Sequence, residues 1–202
     1  MSNALALPRP RTNVARTISD LTSPPALAIP GLALSVWFSG ASGAYLYAVL
    51  YFLAAVVAPL LYVVWLLKTR KITDFHLSDR RERVRPFIAS LLGGAAAMAL
   101  LIYFNAPTSF VAPLVALLGQ TLLLFLVTLA WQISIHTATT AGLVTFAVSA
   151  CGGAAGALFL LVPLVGWARV YLGRHTVGQA TAGACLDCLC FTLLFALRGV
   201  AW

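Results

Sequence analysis

Charge is what this sequence has least of. Only 9% of its 202 residues are Asp, Glu, Lys or Arg, against about 25% in an ordinary soluble domain. Acidic residues are scarcer still, five in the whole chain. No charged residue occurs between Leu21 and Leu67, or across the 82 residues from Phe87 to Ala168. A spanning helix needs roughly 20 apolar residues, so each of these blocks holds more than one. With 61% of the chain hydrophobic, a soluble enzyme and a disordered chain are both excluded. Cysteine is sparse too. Cys151, Cys185, Cys188 and Cys190 all lie in apolar stretches, where a free thiol behaves as a small hydrophobe. That excludes a secreted disulfide scaffold, and three cysteines within six residues fall short of the four converging ligands that a zinc site wants. Ten-residue stretches of alternating polarity are missing, which argues against a membrane β-barrel. The remaining class is all-α: a polytopic integral membrane helical bundle.

The net charge of +8 does not make the chain a nucleic-acid binder. Seven of its 13 basic residues lie between Lys68 and Arg85, in a loop between two apolar segments. In that position they suit anionic head groups and the orientation of the protein in the bilayer, so membrane lipids are the expected partners and nucleic acid is not. Residues 1–24 read as a flexible basic tail rather than a signal peptide, because Arg9, Arg11 and Arg16 follow a very short apolar run. Residues 25–202 read as a single transmembrane domain.

The apolar segments are Ala26 to Gly40, Tyr45 to Leu67, Phe87 to Asn105, Phe110 to Ala130, Thr137 to Trp167 and Thr176 to Leu197. Helix is expected for all, since backbone groups in lipid must be satisfied within the segment. A single helix from Thr137 to Trp167 would be about 46 Å long, against a core of roughly 30 Å. Two helices turning near Gly152-Gly153 are therefore expected, giving six to seven spans in all, depending on whether 26–40 crosses. Gly152 and Gly156 also form a small-xxx-small pair, too common in helix packing to name a function. All five tryptophans sit near an end of a proposed span, where amphipathic rings prefer the interface.

Few polar residues survive inside this chain. His136 follows Trp131-Gln132-Ile133-Ser134-Ile135, at the entry to one span. Arg169 and His175 precede the last. A third polar cluster, Asp79 to Pro86, precedes another. Two crossings separate each of these places from the next, so all three are expected on one membrane face. Two imidazoles beside several guanidiniums suit a phosphate group, because Arg offers paired donors to phosphate oxygens and His can attack or protonate near neutral pH. His76 matches nothing of this kind and reads as a solvated loop histidine. Asp187 is the one acid inside a span; an intramembrane carboxylate invites a functional reading, but it lies about 18 Å along the helix from His175.

These residues resemble the type 2 phosphatidic acid phosphatase superfamily of membrane lipid phosphatases and related haloperoxidases. Its motifs are, in outline, Lys-x6-Arg-Pro, then Pro-Ser-Gly-His, then Ser-Arg-x5-His-x3-Asp. Arg85-Pro86 matches the end of the first, Ser134 and His136 match the second, and Arg169 and His175 match the third with five residues between them. The resemblance covers roughly Lys71 to Gly183. The departures are Ser78 at the lysine position, Ile133 and Ile135 for Pro and Gly, Ala168 for Ser, and Gln179 for Asp.

The resemblance implies a bacterial-type branch, in the cytoplasmic membrane. With seven spans the N-terminal tail and the motif loops share the face that carries most of the basic residues, so both are expected on the cytoplasmic side. The resemblance also implies a fold of this family and hydrolysis of a lipid phosphate or prenyl phosphate with no metal and no cofactor. His175 would be the nucleophile and His136 the general acid. Arg169 with Arg80, Arg83 and Arg85 would clamp phosphate, Ser134 would add a hydrogen bond, and Gln179 would orient His175 without supplying charge. Two other classes fit less of the sequence. One is a catalytically silent membrane subunit or lipid-binding scaffold on the same fold, working with partner subunits. The other is an intramembrane prenyltransferase, which needs paired Asp-rich loops where this chain has only Asp74 and Asp79.

Overall fold

In the computed structural model the described residues are 10–74 and 79–197, and they are almost wholly helical. The helices are α1 (Pro10–Leu21), α2 (Pro24–Ser39), α3 (Ala44–Phe52), α4 (Ala58–Lys68), α5 (Val84–Tyr103), α6 (Thr108–Ala130), α7 (Ile135–Cys151), α8 (Leu161–Tyr171) and α9 (Val177–Leu197). A π-helical turn, Leu53–Val57, joins α3 and α4 into one rod, Ala44–Lys68. The wide turn falls just before Pro59, whose ring would crowd the carbonyl four residues back in a regular helix. It also lets α5 come close: a side chain at Gly93 would collide with the Ala54 carbonyl.

Among the described residues five helices are long and apolar enough to cross a membrane: Ala44–Lys68, Arg81–Tyr103, Thr108–Ala130, Gly153–Tyr171 and Val177–Ala196. The bent pair α1–α2, which turns through 48° at Ser23-Pro24, makes a sixth if counted as one span. The multi-pass helical class is thus borne out, with five to six such helices rather than six to seven. The difference lies mainly in α7, which has 17 residues. It is buried on most sides, through Thr137, Ala138, Thr140, Ala141, Val144, Thr145 and Phe146. Enclosed by protein, it tolerates a threonine-rich sequence; Thr139, Thr140 and Thr145 donate their hydroxyls to carbonyls one turn back.

The stretch from Thr137 to Trp167 does divide in two. Gly152, at φ +78°, ends α7, and a 3₁₀ stretch, Gly153–Leu160, leads into α8. Trp37, Trp65, Trp131 and Trp167 are exposed near helix ends; Trp202 and His76 lie outside the described residues. One expectation is corrected. From residue 10 onward the supposed tail is the helix α1, which packs along α8 with Ala15 and Ser19 buried one turn apart.

Helices α7 and α9 run side by side in the same direction and pack more extensively than any other pair of elements among the described residues. Their first turns are bonded together. The Ser134 amide donates to the Gln179 carbonyl at 3.1 Å, and the Thr137 hydroxyl donates to the Ala180 carbonyl at 2.9 Å. Gly183 permits this approach, since a Cβ there would lie 2.5 Å from the Ser134 carbonyl oxygen.

Candidate functional site

A cavity of about 650 Å³ opens between α2, α4, α5, α6 and α7. Most of its wall is apolar, supplied by such residues as Leu27, Leu60, Val63, Leu117, Leu143 and Phe191. Its charged and histidine lining is concentrated where α1, α5, α7 and α8 begin or end: Asp20, Arg83, His136, Arg169 and His175. Pockets of this make-up, an apolar body with a few convergent polar groups, are where ligands bind.

Each polar group is brought there by local structure. His136 is the second residue of α7, behind the N-cap Ser134. Arg83 ends the 3₁₀ turn Arg81–Arg83 that leads into α5; it is buried, and its Nη1 reaches the Ile133 carbonyl at 3.5 Å. Arg169 stands in the last turn of α8, also buried. Its Nη1 donates to the Ser19 hydroxyl at 2.7 Å, while its Nε has no hydrogen-bond partner. His175 lies in the short turn between α8 and α9 and is only 6% exposed. Burial first, then the positive charges of Arg169 and Arg83, push its pKa down to about 4; a side-chain hydrogen bond with Gln179 acts the other way and Arg174 adds to the lowering. His175 is therefore a neutral imidazole at pH 7, with its Nδ1 unpartnered.

Gln179 has a second task. Its Oε1 accepts from the Thr176 amide at 3.0 Å while its own amide donates to the Thr176 hydroxyl at 3.3 Å. This reciprocal capping box fixes the first turn of α9 directly after His175. The Thr-x-x-Gln spacing is visible in the sequence, although the reading of Gln179 there took only its place relative to His175.

Three expected phosphate contacts are not brought to the cavity. Arg80 spends its guanidinium on the carbonyls of Leu129 and Ala130, closing the end of α6. Arg85 is exposed, and it does not line the cavity. Ser134 is fully buried at the α7–α9 junction, where its hydroxyl accepts from the Thr137 amide. Of the first-motif arginines it is Arg83 that faces the histidines. The sequence reading missed Ser19 and Asp20 altogether. The signal available was Ala15 and Ser19 at helical spacing ahead of a Pro-Pro helix start.

Asp187, which does not line the cavity, is completely buried in α9 with no partner on either carboxylate oxygen; Gln120 on α6, which does line it, is likewise buried and unpartnered. All four cysteines are free. Comparison with family models, curated proteins and solved structures finds no match for this chain.

Proposed function

We propose that this protein is a membrane phosphatase that hydrolyses lipid phosphate or prenyl phosphate esters through a phosphohistidine on His175. One observation carries the reading: Arg83, Arg169, His136 and His175 line one cavity whose wall is otherwise mostly apolar. A ligand that satisfies both parts has a phosphate head and a hydrocarbon tail.

The chemistry follows from the groups present. Neutral His175 attacks phosphorus, and the new N–P bond replaces the ester P–O bond. His136 gives a proton to the departing alkoxide and afterwards takes one from the water that hydrolyses the phosphohistidine. Arg83 and Arg169 hold the equatorial oxygens, where the charge of the transferring phosphoryl group is spread. Two bound negative charges also offset the repulsion that keeps a proton off His175, so the imidazole can carry the positive charge that attack places on it. Among the described residues no three His, Cys, Asp or Glu side chains converge, so the arginines are the charge-stabilising groups in this scheme. The bilayer is the source of the substrate, and the site opens toward the cytoplasm.

A second reading has its own support in Gln179, which stands beside His175 without the negative charge that steadies an imidazolium. On that reading the cavity binds a lipid phosphate and does not cleave it. Phosphate release by the purified chain from a panel of lipid phosphates and prenyl diphosphates, in EDTA, separates the two. Release that is lost in His175→Ala supports the phosphatase. Binding without release from any of them leaves the silent scaffold.

A further inference from the structure

The amino-terminal helix reaches the anion end of the cavity. Ser19 and Arg169 are 150 residues apart in sequence, yet their side chains meet at 2.7 Å, each 2% exposed. Asp20, next along α1, lines the cavity, and its negative charge acts on Arg169. A guanidinium is a rigid plane of five N–H donors, so fixing one nitrogen fixes where the others point. Ser19 holds Nη1, and the Nε edge of the same plane is buried and unpartnered. A buried donor of a charged group without a partner is costly unless a ligand supplies one.

We propose that Ser19 is a positioning residue: by holding Nη1 it turns the rest of the Arg169 guanidinium toward the phosphoryl oxygens of the ligand. The helix α1 is thereby part of the binding machinery, and not only a covering for α8. This rests on the reading of the cavity as a phosphate site.

Octylphosphonate tests it, since its head is a phosphate mimic, its tail a hydrocarbon chain, and its C–P bond resists hydrolysis. Binding to the full-length protein in detergent is measured by titration calorimetry. Arg169→Gln should weaken binding. Ser19→Ala should weaken it about tenfold, the weight of one hydrogen bond to a charged group. Alanine favours helix, so α1 persists, and an unchanged melting temperature checks this. Ser19→Thr keeps the hydroxyl and should bind as wild type. In an Arg169→Gln background, Ser19→Ala should cause no further loss, because the two act through one contact. Wild-type binding by Ser19→Ala, equal losses in the Ala and Thr variants, or an undiminished effect of Ser19→Ala without Arg169 would each overturn the proposal. A wild-type chain that does not bind octylphosphonate overturns it together with the phosphate site. Binding without phosphate release removes the enzyme and leaves the Ser19–Arg169 arrangement standing.

Discussion

Arg83 and Arg85 are two residues apart and live in opposite surroundings, one buried at the cavity and one exposed outside it. Arg83→Ala should lower kcat/KM for a lipid phosphate by about a hundredfold or more, the loss expected for a buried charge-assisted contact. Arg85→Ala should stay within about threefold of wild type, as exposed charges usually do. A reversal of that order in steady-state kinetics would return the motif to the register read from the sequence. His175 carries a pH signature. Its folded pKa of about 4 lies below the ordinary value of 6.5, so the unfolded chain takes up a proton first as pH falls. Stability should therefore drop from pH 6.5 toward 4, and His175→Asn should flatten that part of a melting-temperature profile. The acidic limb of kcat/KM that belongs to His175 should likewise lie near pH 4. Gln179 suggests a substitution other than aspartate, whose shorter side chain would abandon the Thr176 amide. Gln179→Glu keeps the capping box and adds the anion, and should raise kcat wherever the missing charge limits attack.

At the level of the helices, the paired starts of α7 and α9 decide whether the histidines can cooperate. Gly183→Val would place a branched side chain where even a Cβ would meet the Ser134 carbonyl. It should separate the two first turns, lower stability by about 1–3 kcal/mol and abolish turnover; wild-type melting and activity in this variant would disprove the junction's importance. Much of this level was legible beforehand. Charge-free blocks and glycine positions give the long segments and the break at Gly152-Gly153, because lipid thickness limits helix length. Two things were not. The helix α1 has too few apolar residues to stand out, and it is held by one narrow face, Ala15 and Ser19, against α8. The choice of Arg83 over Arg80 and Arg85 depends on the 3₁₀ turn Arg81–Arg83, whose tighter winding sets which side chain enters the bundle. Motif spacing has no access to that rotation.

For the molecule as a whole, the distribution of basic residues predicts the orientation. Lys68, Arg70, Lys71, Arg11 and Arg16 border the same end of the chain's spans on the sequence count, and the cytoplasmic side is where such residues gather. Single cysteines at Asn13 and Lys71, in a background without the four native ones, should resist an impermeant thiol reagent in intact cells and react once the membrane is opened. Ready labelling of both in intact cells would invert the topology. The bonded first turns of α7 and α9 have a consequence for the whole cavity as well. They work as a calliper locked at one opening: His136 and the His175 turn are gauged against each other by protein hydrogen bonds, not by whatever occupies the space below. Changing the chain length or unsaturation of a ligand should then alter how tightly it is held while leaving the rate of the bond-breaking step almost constant, so that a redesign of tail preference through the α2 and α4 walls need not retune the chemistry at the head.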